Sequence, residues 1–301
     1  MKNFKYIFMV LLGGTLYGTM SSFVKLAYRS GYHAAEISFY QALFSAVILC
    51  IFAVFSFKKN NVRLSLRDYV EILFAGFAIG MTNYLEYASL AYIPASLAVI
   101  LLMQYTWIDI LIEWIVFHRK PLTVEIVIVI FVLIGTALAG RLFEIEKFQF
   151  SLVGITLAIG SSFTYAFYIV LNSRARKEIG WQFKSSYIML GSSICIFAVN
   201  APAITAWNYM SCNFIEWELF LAIVGTAIPT ALFAVSLPRI GAGVSGILMT
   251  VELPVAVICA FIILNEHISA LQALGVVIML ASIAFINYYK VSKSKNYVFR
   301  K

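Results

Sequence analysis

Residues 85–101 read LEYASLAYIPASLAVIL, and residues 232–248 read LFAVSLPRIGAGVSGIL. Laid together, Leu85 meets Leu232, Ser89–Leu90 meets Ser236–Leu237 and Ile93 meets Ile240. Ala95 then meets Ala242, and Ile100–Leu101 meets Ile247–Leu248. The match runs without a gap from 69–137 onto 216–284, an offset of 147 residues, adding Glu71 with Glu218, Ala75 with Ala222 and Ile115 with Ile262. Apolar-rich segments share letters by chance, so the unbroken register through three segments and their loops carries the inference. Tyr17–Gly18 and Tyr165–Ala166 match more loosely at an offset of 148. The chain reads as a duplication: residues 1–140, residues 141–289, and a basic tail at 290–301.

Composition says where such a chain lives. Of 301 residues, 62% are hydrophobic and only 12% charged, against about 45–50% and about 25% in soluble proteins. A soluble enzyme, a disordered chain and a disulfide-stapled secreted domain are excluded, and the apolar surface must face lipid. A membrane-crossing helix takes roughly 20 apolar residues. Such runs fall at 6–26, 34–56, 69–91, 95–117, 123–140, 151–173, 185–205, 217–238, 241–264 and 269–289. They are continuous, without the alternation of barrel strands. Lys2 and Lys5 before the first run resemble a signal peptide, but the run is too long and no small-x-small site follows. The expected fold is all-α integral membrane, with ten transmembrane helices. Cys50, Cys195, Cys212 and Cys259 have neither disulfide-framework nor metal spacing.

Basic residues orient the chain, because Lys and Arg gather in cytoplasmic loops. With the N-terminus inside, the inner segments hold Lys2, Lys5, Lys58, Lys59, Arg63 and Arg67, then Arg119 and Lys120. They also hold Arg174, Arg176, Lys177, Lys184 and Arg239, then Lys290, Lys293, Lys295, Arg300 and Lys301, so eighteen of 22 lie on one side. Only Lys25, Arg29, Arg141 and Lys147 fall outside. Both termini are therefore expected in the cytoplasm, in a multi-pass protein of the plasma or inner membrane. The net charge of +8 is a topology signal, so no nucleic acid partner is expected, and the basic tail needs no lipid-recognition role. Five spans per half is odd, so the two five-helix repeats are inverted. His118–Arg119–Lys120 closes span four inside, whereas its partner Asn265–Glu266–His267 closes span nine outside without Lys or Arg. Inverted repeats support two conformations open to opposite sides of a midplane site.

At this point the chain resembles the drug/metabolite transporter superfamily and, within it, the EamA-type ten-helix carriers. The matching residues are Gly14-x-x-Tyr17-Gly18 in span one, where the family has an aromatic followed by Gly, and the stretch from Glu252-Leu253-Pro254 to Glu266. Span count, length, duplicated halves and basic loops extend the likeness over nearly the whole chain. Departures are Gln41, where many members have Arg; Arg119, at the position matching Glu266; and Trp107, opposite Pro254. The resemblance implies a carrier of amino acids, their derivatives or related metabolites, often exported.

Acids inside a bilayer need a reason, since one at a helix centre costs about 2.5–3.5 kcal/mol on insertion scales. Glu252 falls near the middle of span nine, Asp109 on the inner side of span four and Glu86 on the outer side of span three. Tyr105, Asp109 and Glu113 share one helix face, Gln104 and Trp107 the adjoining one, and Asn83, Glu86 and Tyr87 a face of span three. Repeat pairing sets Tyr105 opposite Glu252. The functional reading is a polar cavity whose acids bind protons or cationic groups. The competing reading is packing glue between helices, favoured for Glu113. Glu71, Glu125, Glu216 and Glu218 are expected at wetted helix ends. Tyr17, Tyr84, Tyr105, Trp107, Tyr165 and Tyr168 lie deep, where aromatic faces suit an organic cation. Pro229 and Pro254 are hinge candidates, expected to free the carbonyls of Gly225 and Thr250. Their first-half partners are Thr82 and Trp107, so the halves are expected to bend differently. Gly14/Gly18 and Gly76/Gly80 suit close helix approach.

No GxxxxGK[ST] or HExxH motif occurs, so neither ATP hydrolysis nor a metalloenzyme is expected, and no cofactor or metal. The expected function is a secondary transporter of small polar organic metabolites working by alternating access, with protons or another ion as coupling partner. One alternative substrate is a quaternary amine such as choline. One alternative class is a non-transporting receptor or assembly subunit. Transport direction, the coupling ion and homodimer formation stay open.

Overall fold

The described residues of each apolar run are largely helical, with turns interrupting 95–117 and 241–264. The computed structural model describes residues 2–56, 65–139, 151–206, 211–265 and 269–298, without the side chains of 2, 3, 56, 96, 139, 286–288 and 290–298. Lys58, Lys59, Arg63, Arg141, Lys147, Trp207, Glu266 and His267, the 140/141 boundary and the tail's side chains lie outside the described residues. In chain order the helices are α1 (Lys2–Arg29), α2 (Ala34–Ser56), α3 (Leu66–Leu90), α4 (Ala95–Leu102), α5 (Tyr105–Phe117), α6 (Thr123–Ala139) and α7 (Leu152–Arg174). Then come α8 (Trp181–Ala206), α9 (Cys212–Phe220), a π-helical segment (Leu221–Ala227), α10 (Ile228–Ile240), α11 (Ala242–Met249), α12 (Glu252–Leu264) and α13 (Ala270–Val298).

Seven helical stretches are long and apolar enough to cross a membrane, and two shorter apolar helices run Thr123–Leu138 and Ala270–Phe285. Burial is arranged for lipid rather than water. Phe55, Ile115 and Ile262 are 84%, 67% and 67% exposed, while Asp109 and Glu252 are 0% and 3% exposed. The protein is a multi-pass membrane protein.

The register of 147 recurs in the backbone. Ala95–Leu102 and Ala242–Met249 are equivalent short helices, as are Tyr105–Phe117 and Glu252–Leu264. Their ends match too: His118 and Asn265 both close their helices in the left-handed conformation. At the next start, Leu122 N–H donates to Glu125 Oε2 and Ser269 N–H to Gln272 Oε1, the same cap in both halves. Spans four and nine are thus each broken into two half-helices at the same place.

The breaks in spans four and nine correct half of the expectation that the two repeats bend differently. In the first, Gln104 N–H turns back to Leu101 O and Thr106 N–H to Met103 O, at 3.2 and 3.1 Å. In the second, Val251 N–H meets Leu248 O and Leu253 N–H meets Thr250 O, at 3.4 and 3.2 Å. These three-residue turns keep backbone groups satisfied where the helix is interrupted. Pro254 is the third residue of α12, where an N–H lacks an intrahelical acceptor anyway. It therefore does not free the Thr250 carbonyl, and the first half breaks with Trp107 in its place. Spans three and eight do differ. α3 is continuous, whereas Ile228 N–H reaches five residues back to Ile223 O, closing a π turn that places Pro229 at the head of α10.

The halves interlock. α1 packs against α10, α11 and α12, while α7 packs against α3, α4 and α5; α2 pairs with α8 and α6 with α13. Each half's first helix thus lies on the other half's break. Gly14 and Gly18 make that approach fit: a Cβ on Gly18 would sit 2.5 Å from Glu252 O. Gly80 meets the Ser192 backbone in the same way. Two acids depart from expectation, because Glu125 is 2% and Glu218 0% exposed. Their helix ends are covered by neighbouring helices rather than wetted.

Candidate functional site

The half-helix break positions Glu252. As the first residue of α12 it points into a cleft between α1, α3, α4 and α7. The cleft lining includes Tyr17, Asn83, Glu86, Tyr87 and Tyr165 together with Glu252. Tyr165 donates its hydroxyl to Glu252 Oε1 at 2.7 Å, deep in the protein.

Three more tyrosines gather there. Tyr105 packs edge-on against Tyr165 with centroids 4.7 Å apart, and Tyr168 stacks along it at 6.1 Å. Tyr17 lies 6.4 Å from Tyr165 and stacks on Phe233 at 5.7 Å. Tyr17 comes from α1 because Gly18 beside it lets α1 approach the α11–α12 break. Tyr165 is the loose repeat partner of Tyr17 and reaches the other break from α7. A carboxylate among aromatic faces has the chemistry to bind an ammonium group by charge and by cation–π attraction. Of the residues singled out from the sequence, Glu252, Glu86, Asn83, Tyr17 and Tyr165 line this cleft, with Tyr105 and Tyr168 packed behind.

The rest lie elsewhere. Gln104 and Trp107 bond to each other, indole N–H to Oε1 at 3.0 Å. Tyr84 packs with a separate small core. Asp109, one turn along α5 from Tyr105, is wedged against Gly246 of α11, and neither oxygen has a hydrogen-bond partner among the described residues. Glu113 forms ion pairs with Arg119 and, at 3.7 Å, with Arg174, while Arg119 also lies 3.5 Å from Glu125. That agrees with a structural role for Glu113.

Two buried charged residues went unremarked as site candidates. Lys184, assigned to an inner loop, is 1% exposed. Glu218 has no hydrogen-bond partner for either oxygen among the described residues. The period of their own helices held the signal for Lys184, which lies three residues inside α8 rather than before it.

Comparison with known proteins places the chain. The family profile "EamA-like transporter family" matches residues 4–141 and again 152–288. The threonine/homoserine exporter RhtA of Escherichia coli (strain K12) is 29% identical over 246 residues, 79% of each chain. RhtA of Salmonella typhimurium (strain LT2) is 27% identical, over 75% of this chain and 74% of that one. The uncharacterized transporter YcbK of Bacillus subtilis (strain 168) is 22% identical over 95% of this chain and 94% of its own. A solved crystal structure covering 93% of this chain and 94% of its own superposes with a TM-score of 0.74 at 10% identity, a likeness of fold alone. The matched family members are transporters, not enzymes. The chain belongs to the EamA-like transporter family of the drug/metabolite transporter superfamily.

Proposed function

We propose that the protein is a secondary carrier that exports small amino acids or their derivatives by alternating access. Ten crossings in two inverted five-helix repeats, with both termini in the cytoplasm, form the frame, and the plasma or inner membrane is its place. In this reading Glu252 holds the substrate's ammonium group, Tyr165 orients the carboxylate, and Tyr17 and Tyr105 shape the pocket. The single observation that carries it is Glu252 itself: a buried acid at the head of a half-helix, facing a cleft, with one tyrosine hydroxyl on it. RhtA-named relatives supply the substrate class.

The cleft is a cavity of about 10 Å³, roughly one water. Substrate entry therefore needs the helices around it to separate. The interlocked first helices and paired breaks give a rigid-body route: α1 moves with the second half's break, and α7 with the first's. Proton coupling follows if Glu252 exchanges a proton for substrate.

Counterflow of labelled threonine in proteoliposomes tests the proposal. Wild type is expected to accumulate label and Glu252→Gln to lose it at least a hundredfold. Transport by both proteins that ignores an imposed pH gradient removes the coupling step. Choline, but not threonine, driving counterflow replaces the amino acid with a quaternary amine. No transport of any solute returns the protein to a receptor or assembly role.

A further inference from the structure

Lys184 is among the largest fully buried side chains of the molecule. Its Nζ donates to Asn172 O at 2.9 Å and to Ala234 O at 3.4 Å. Both carbonyls are there to be filled. Asn172 lies in the last turn of α7, and four residues beyond Ala234 stands Pro238, which has no N–H to offer. Capping two carbonyls needs donors, though not a charge. Lys184 brings an ionisable amine, yet no carboxylate among the described residues pairs with it, and the charge facing it from α10 is Arg239, of the same sign. A buried amine without a counter-ion is expensive to charge, and an ionisable group at such depth in a membrane protein points to function.

Its surroundings carry a second opening. Asn172 donates Nδ2–H to the Tyr168 hydroxyl at 3.0 Å, while its buried Oδ1 has no partner among the described residues. Lys184 has a third N–H beyond the two in use. An unused cationic donor and an unused amide acceptor therefore adjoin. Along α7, Asn172 lies seven residues from Tyr165, about 10 Å at 1.5 Å per residue, with Tyr168 between them. The order is acid at the cleft, tyrosines, then base towards the Arg- and Lys-rich side. At offsets of 147 and 148 Lys184 meets Ile37 and Glu36, so neither register sets a base there in the opposite half.

We infer that Lys184 and Asn172 form a second substrate station, which captures the carboxylate of an amino acid entering from the basic side before its ammonium reaches Glu252. This rests on the amino-acid export proposed above. The two charges of an α-amino acid are only a few ångströms apart, so the substrate meets the base and the acid in turn. The station is one-sided because neither repeat register places a base opposite Lys184, as loading from a single face requires.

The test uses the full-length protein in inside-out membrane vesicles, with threonine as substrate and threoninol, its carboxylate-free alcohol, as competitor. In wild type, threoninol applied at the basic face is expected to compete at least tenfold more weakly than threonine. Lys184→Met is expected to raise the threonine KM from that face tenfold or more and to erase the difference between the two competitors. Lys184→Arg should keep both, and the KM from the opposite face should stay put in every variant. Equal competition by threoninol in wild type overturns the inference, as does a Lys184→Met protein with the wild-type KM. If Lys184→Met does not purify as a monodisperse protein, the wild-type competition decides alone. Wild type that moves threonine without distinguishing threoninol loses only this inference. Wild type that moves no amino acid loses the proposed function and this station together.

Discussion

Tyr105 and Glu252 hold one structural position in two copies: each is the first residue of the half-helix that follows a break, and Tyr165 touches both. Its ring packs on Tyr105 at 4.7 Å and its hydroxyl bonds to Glu252 at 2.7 Å. Duplication explains the shared position and divergence explains its use. The same backbone device presents an aromatic ring in one half and an acid in the other. Tyr165, from the first helix of the second half, joins the two breaks into one site.

Tyr165→Phe isolates that hydroxyl, because the ring can stay against Tyr105. A hydrogen bond to a charged group is worth about 1.5–3 kcal/mol, a factor of roughly 10–150 in an equilibrium. Threonine counterflow by Tyr165→Phe is expected to fall by at least about tenfold at subsaturating substrate, with the melting temperature changed by only a few degrees. Wild-type counterflow in this variant removes Tyr165 from the site.

Gly18 is tested by size. A Cβ there would press on the Glu252 backbone, which has no flexible end to yield, whereas a Cβ on Gly160 would meet only Leu85 Cδ1 at 3.4 Å. Gly18→Ala is expected to cost about 1–3 kcal/mol, as overpacking does, and to lower the melting temperature in detergent by several degrees. Gly160→Ala should melt like wild type. Equal melting of the two variants breaks the account of why α1 can lie on the second break.

Much of the fold was legible because lipid demands it. Continuous apolar runs gave the helix positions, and the offset of 147 between residues 69–137 and 216–284 gave the pairing of spans four and nine, though the halves were expected to bend differently and neither break was foreseen. Nothing in the run from Ala95 to Phe117 signals an interruption: no glycine or proline stands at Met103–Gln104. α7 packs on both half-helices beside that break, a tertiary contact that sequence periodicity does not report. Glu252 stood out as an acid in mid-span, and Gly18 as half of a small-residue pair. Glu125, Glu218 and Lys184 were misplaced for one shared reason. Distance from a span's end predicts wetting only if no neighbouring helix covers that end.

Asp68 gives a pH test at the membrane edge. Ser65 and Asp68 cap α3 reciprocally, and Arg176 lies 3.0 Å from the carboxylate. The Ser65 backbone N–H, then its hydroxyl and Arg176, hold the Asp68 carboxyl below the usual range against the opposing pull of desolvation. A depressed folded value means that the unfolded chain takes up the proton first as pH falls. The stabilisation is therefore whole above the ordinary aspartate value of about 3.9 and drains away below it, through the lower folded value. Melting temperatures measured from pH 6 down to pH 3 are expected to drop less steeply in Asp68→Asn, which should also start lower at pH 6. Parallel curves for the two proteins assign the acid sensitivity to other groups.

The basic end carries an ion network. Arg119 pairs with Glu113 and Glu125, Arg174 reaches Glu113 and stacks 3.5 Å over Phe117, and Arg119 Nη1 lies 3.5 Å from where a Cβ on Gly241 would be. The network therefore ties the end of α5 to α6, to α7 and to the turn between α10 and α11. At the positions 147 residues on, Glu113 becomes Ala260 and Glu125 becomes Gln272, so this pair of acids is not repeated in the other half. Under the proposed alternating access, with this end in the cytoplasm, the network is expected to favour closure there. Arg119→Gln is expected to shift the population towards opening on that side. A Ser21→Cys probe in the cleft of a protein lacking the four natural cysteines reads the shift. Its labelling by a membrane-impermeant maleimide from the outer face should slow severalfold in Arg119→Gln, and high salt should slow the otherwise unchanged protein in the same direction. Labelling that is equally fast in both, at low and high salt, means the network braces the loop without biasing the two states.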